Sequence, residues 1–82
     1  MQHVLLTASQ VGHYLQSARK AAGLSQAELA LRIGLGQSRL SKLEQDPASL
    51  TVDQLLRICG ALRLDLSVAP KPDGPLATGS EW

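Results

Sequence analysis

Gln26-Ala27-Glu28-Leu29-Ala30-Leu31-Arg32-Ile33-Gly34-Leu35-Gly36-Gln37-Ser38-Arg39-Leu40-Ser41-Lys42-Leu43-Glu44-Gln45 is the stretch that decides the fold. Ser25-Gln26-Ala27-Glu28 fits a capping box, in which hydroxyl and carboxylate each accept a main-chain N–H of the other residue. A helix therefore opens at Ser25, turns Leu29, Ala30 and Ile33 inward, and ends at Gly34. A second short helix runs from about Gln37 to Gln45 with Leu40 and Leu43 inward. Asp46-Pro47 breaks it, because proline disfavours a helical residue before it. Two short helices joined at Gly34-Leu35-Gly36 cross closely and steeply. That crossing needs a small residue where the backbones approach, Ala30, and one tolerant of positive φ at the turn, Gly34. Leu29, Ile33, Leu35, Leu40 and Leu43 lock the pair.

These positions are filled as a DNA-binding helix-turn-helix requires. The second helix of the pair exposes Gln37, Ser38, Arg39, Ser41 and Lys42 around the half that would enter a major groove. A glutamine bonds adenine through two atoms, and an arginine grips guanine O6 and N7, which makes Gln37 and Arg39 the base-reading candidates. Ser41 and Lys42 sit a turn later, where phosphate contacts are expected. Gln26 adds an amide and a helix N-terminus for a phosphate. Arg19 and Lys20 are further basic candidates that fit an ordinary solvated surface equally well.

Working outward, Val11, Leu15, Ala18 and Ala22 repeat as one face of a first helix, with Ser9 placed to cap it and Gly23 to stop it. Thr51-Val52-Asp53-Gln54 is another capping box and opens a fourth helix, whose apolar face is Leu55, Leu56, Ile58, Cys59 and Leu62. From Leu64 the period changes to two: Leu64, Leu66 and Val68 alternate with Asp65, Ser67 and Ala69, as in a half-buried strand. A single strand cannot satisfy its own backbone, and the one other candidate, Val4-Leu5-Leu6, is weak. The same strand from a second copy, paired across a two-fold axis, is the simplest partner. Beyond Ala69, three prolines and two glycines in thirteen residues predict a flexible tail. The expected division is an N-terminal arm (1–8), a helical domain with its dimerisation strand (9–69, strand 64–69) and a tail (70–82) ending in Glu81-Trp82. The tail's tryptophan is natural as an anchor for a partner.

With Gln26-Ala-Glu-Leu-Ala through Ser41-Lys-Leu-Glu44, the chain resembles the Cro/C1-type (XRE) helix-turn-helix family over roughly residues 9–62. Four helices, then Leu64-Asp-Leu-Ser-Val68, then a tail closing in Glu81-Trp82, are similar in order to the HipB antitoxins of HipA-type kinase toxins. The resemblance implies an all-α, lambda-repressor-like domain of four helices with one short strand that pairs across a homodimer. It implies a sequence-specific DNA-binding antitoxin that represses its own operon at palindromic operators and neutralises a kinase toxin, single or split into two proteins. Leu64, Leu66 and Val68 would then dimerise, and Glu81 and Trp82 would bind the toxin. A stand-alone repressor of the same family without a toxin, and a bundle that binds only protein, remain as alternatives.

The whole chain agrees in scale. Its 82 residues allow one small domain with a marginal core, which favours oligomerisation. One Cys excludes an intrachain disulfide and a Cys-based zinc site and suits a reducing cytoplasm. No apolar run approaches the ~20 residues that span a bilayer. A cytoplasmic protein with no membrane segment and no cofactor is expected. The net charge of +1 divides unevenly, with bases prevailing up to Lys42 and acids beyond it, as for a nucleic-acid face with something else opposite. No enzyme chemistry is visible: His3 and His13 have no nearby carboxylate or Cys, and Gly34-Leu35-Gly36 lacks the lysine of a phosphate loop.

Overall fold

Three of the four helices open on the capping boxes that their sequences carry. The structure is a computed structural model that describes residues 3–71. Helix α1 spans Ala8–Ala21, α2 Gln26–Ile33, α3 Gln37–Gln45 and α4 Val52–Ala61, with one 3-10 turn at Pro47–Ser49. The Ser25 and Thr51 hydroxyls accept the N–H of Glu28 and Gln54 at 3.1 and 3.0 Å, and those side chains return to the Ser25 and Thr51 N–H. Helix α1 differs from expectation: its cap is Thr7, not Ser9. Only Thr7 has a glutamine three residues on, and Gln10 Oε1 accepts both Thr7 N–H (3.2 Å) and Leu6 N–H (2.7 Å).

The helices stop by main-chain geometry. After α1, Gly23 adopts φ +75°, Gly23 N–H reaches Lys20 O and Leu24 N–H reaches Arg19 O. The same paired closure ends α4, where the left-handed residue is Arg63 (φ 59°), Arg63 N–H reaches Gly60 O and Leu64 N–H reaches Cys59 O. Each closure satisfies carbonyls that the helix end would otherwise orphan.

The core lies where all four helices meet. Leu15, Leu29, Ala30, Ile33, Leu40, Ile58, Cys59 and Leu62 are buried together, and Val11, Ala18, Leu35, Leu55 and Leu64 pack against them. Leu29, Leu40 and Leu43 are almost completely withdrawn from water, each contributing about 1.5–3 kcal/mol. Two expected core positions are elsewhere: Leu56 is 50% exposed, on the outer side of α4, and Ala22 is exposed beyond the end of α1. Gly12 marks the tightest approach, since a Cβ there would stand 2.6 Å from Pro47 Cγ. Among the described residues there is no strand: the segment expected as one, 64–69, has no partner within the chain, and its Val68 is fully outward.

Candidate nucleic-acid interface

Gly34, in the left-handed region at φ +75°, turns the chain between α2 and α3, and Leu35 N–H closes the turn on Ala30 O at 2.9 Å. Ala30 is buried, as a small residue at a close crossing should be. Leu40 and Leu43 fix the inner side of α3, so its opposite side is set by elimination. Gln37, Ser38, Arg39 and Lys42 are exposed, and Ser41 is half-buried. Among the described residues none of these five side chains has an intramolecular hydrogen bond. Gly36 caps α3 without a side chain, and the first turn carries no acid, so its leading N–H groups face outward in a field that favours anions.

Behind this surface lies a cluster that sequence reading missed. Arg19, on α1, is 6% exposed. Its Nε and Nη2 donate to Glu44 Oε2 and Oε1 at 2.8 and 3.2 Å, and its Nη1 donates to Leu24 O at 2.9 Å. The two side chains are each 7% exposed. Gln26 Nε2 donates to the same Glu44 Oε1 at 3.0 Å, so α1, α2 and α3 converge on one carboxylate. Arg19 is thereby removed from the basic surface, while Lys20 stays exposed. Glu44, from the acidic half, neutralises a base from the basic half inside the protein. Nothing in the sequence marks this pair, because its members are 25 positions apart.

Gln26 is half-buried and bound through its amide nitrogen to Glu44, which fixes its orientation. At the N-terminus of α2, Ser25 Oγ takes the Glu28 N–H, while those of Gln26 and Ala27 have no partner within the helix. The Ser25 N–H, helped by the Ser25 side chain and by Arg32, holds the Glu28 carboxyl below the usual carboxylate range. Among the described residues no three His, Cys, Asp or Glu side chains group as a metal site, and no helix is long and apolar enough to cross a membrane. Glu81 and Trp82 lie outside the described residues.

Residues 15–68 match the family model described as helix-turn-helix. The chain belongs to the helix-turn-helix family. It is 39% identical over 57 residues to the uncharacterized HTH-type transcriptional regulator y4dL of Sinorhizobium fredii, an alignment covering 70% of this chain and 29% of that protein. The chain therefore spans under a third of the length of that relative. Among solved structures, the HipB–O1–O2 complex superposes with a TM-score of 0.76 at 25% identity, covering 83% of this chain and 99% of the other. A serine-to-alanine variant of HipB in complex with the O2 20-mer gives 0.77 at 26% identity, covering 84% and 96%. The four-helix helix-turn-helix fold expected from the sequence is thus the fold of HipB.

Proposed function

We propose that this chain is a sequence-specific DNA-binding transcriptional regulator that acts as a homodimer and serves as the antitoxin of a HipA-type kinase toxin. The observation that carries the DNA-binding part is the outer side of α3. A helix pinned from behind by Leu40, Leu43 and Glu44 presents Gln37, Ser38, Arg39 and Lys42, none of them hydrogen-bonded through its side chain among the described residues. In this reading Gln37 and Arg39 read bases, and Ser38, Ser41 and Lys42 complete the contact with base edges and phosphates. Gln26, oriented by Glu44, and the N-terminus of α2 hold a phosphate. Leu64, Leu66 and Val68 pair with the same residues of a second copy, which places two recognition helices on a palindromic operator about 34 Å apart or a multiple of that. Glu81 and Trp82, in the tail, engage the kinase, whether one protein or two. The likeness to HipB supports the antitoxin role.

The likeness to y4dL favours a second reading, a transcriptional regulator of this family without a toxin. Two experiments separate the readings. Operator affinity measured against salt should fall with a log–log slope of about −0.9 per phosphate neutralised, and a flat slope would remove both. A pull-down from cell lysate should compare the full chain with one ending at Ala69. Recovery of a kinase, weakened by the truncation, supports the antitoxin, whereas DNA binding without a protein partner leaves the plain regulator.

A further inference from the structure

Helix α3 is fastened at its far end and steered at its near end. Leu43 and Glu44 hold its C-terminal half from behind. Gln37, Ser38 and Arg39 instead follow the turn of residues 34–36, and Gly36 caps α3 with no side chain. Only three residues separate Ile33, the last of α2, from Gln37, so a displacement of Ile33 carries over to the front of α3. The Ile33 carbonyl stands at a helix end, on a residue only 6% exposed, and needs a donor from outside α2. The N–H groups of Gly34 and Leu35 turn back to Leu31 O and Ala30 O, at 3.4 and 2.9 Å, and no main-chain N–H among the described residues reaches Ile33 O. Its donor comes from another helix: Arg57 Nη1, on α4, stands 3.4 Å away. Asp53, one turn earlier on α4, takes Arg57 Nε at 3.0 Å and so aims the guanidinium.

We infer that Arg57 is a positioning residue for the DNA interface, tying the end of α2 to α4 and so setting the angle at which Gln37 and Arg39 meet the bases, without itself touching DNA. The inference rests on the proposed reading of Gln37 and Arg39 as base readers and deepens it. The first argument is tolerance. Two-atom contacts to base edges are directional, and such groups work only when held to within about 0.5 Å by what stands behind them. The second is electrostatic, since a cation at the C-terminus of α2 lies where the helix dipole favours it. The third is exposure. The Arg57 side chain is 57% exposed, while its neighbours Ile58 and Cys59 carry the core contact of α4, so the arginine ties the turn without filling the core.

The test uses the full chain and two DNA probes, a duplex selected by the natural chain from a random pool and the same duplex scrambled. Arg57→Met should weaken the selected duplex about fivefold, the loss of one two-atom base contact, and the scrambled one by less than about twofold, with the salt slope unchanged. Asp53→Asn, which frees the guanidinium but keeps it, should give a smaller loss of the same kind. In the free protein, the NMR amide signals of Gly34, Leu35 and Gln37 should shift in Arg57→Met. Gly12→Ala serves as the control for stability and should leave the ratio between the two duplexes as it is. If Arg57→Met weakens both duplexes alike and lowers the salt slope by about 1, Arg57 touches a phosphate and the inference is overturned. It is overturned equally if both affinities are unchanged, or if Gly12→Ala lowers the ratio as much as Arg57→Met does. If the natural chain selects no duplex from the pool, the base-reading proposal itself falls, and the inference with it.

Discussion

Arg19 and Glu44 form a two-point ion pair at 2.8 and 3.2 Å, at 7% exposure each, and so bolt the first helix to the back of the third. Breaking one side leaves the other charged and buried, which costs about 3–5 kcal/mol. Glu44→Gln and Arg19→Met should each lower Tm by at least about 12 °C in a domain of this size. Arg19→Met/Glu44→Leu should regain most of the loss, since apolar packing often replaces a buried pair without penalty. Thermal denaturation of the three variants checks this, and a double variant no better than the singles would contradict it.

Arg39 and Lys42 should separate by kind of effect. Arg39→Ala should cost about 1–3 kcal/mol of operator affinity and relax preference at one base pair per half-site. Lys42→Ala should weaken all DNA sequences alike and reduce the salt slope by about 1. Both are exposed, so stability should stay within about 0.5 kcal/mol. Titrations on an operator and a scrambled duplex at several salt concentrations decide between the roles.

Gly12→Ala should destabilise by about 1–3 kcal/mol through overpacking, because the new methyl would meet Pro47 Cγ at 2.6 Å and Cβ at 3.0 Å. Gly60→Ala, with open space around it, should instead stabilise by up to about 1 kcal/mol through helix propensity. Urea denaturation of the pair reads the difference.

Arg63→Gly should stabilise by about 0.5–1 kcal/mol, since a side chain in the left-handed region carries a penalty that glycine does not. An unchanged urea midpoint would mean that the Arg63 side chain makes up for its own strain.

Burial pushes the Cys59 thiol up from its ordinary range. The folded state then holds its proton to higher pH than the unfolded chain does. Stability from this source is complete below the unfolded thiol value, about 8.5, and is lost as pH rises through the raised folded one. The difference in stability between the natural chain and Cys59→Ala should therefore shrink as pH rises above about 8.5, as measured by urea denaturation at each pH.

What the sequence made legible was local. Ser25 with Glu28, Thr51 with Gln54, and Gly34 announce their helix ends because caps and left-handed turns depend on residues a few positions apart. Thr7 with Gln10 carries the same signal, one that the nearer serine at position 9 obscured. The outward row on α3 followed from period alone. The Arg19–Glu44–Gln26 cluster did not, because it exists only once three helices are assembled. Arg63 escaped because a left-handed arginine has no sequence mark, and Leu56 because a broad apolar run does not tell an outward residue at its edge from an inward one. Residues 64–69 alternate as a strand would, and among the described residues they form none, because alternation sets the faces of a segment but does not supply a hydrogen-bonding partner.

The side chains on the outside of α3 take no part in holding it in place. Leu40, Leu43 and Glu44 anchor the helix, while Gln37, Ser38, Arg39 and Lys42 have no bonds to lose. On the proposed reading, mutation can therefore rewrite the sequence recognised, one exposed position at a time, with little change in whether the chain folds. The outer face of α3 is free to drift while the scaffold behind it is inherited unchanged.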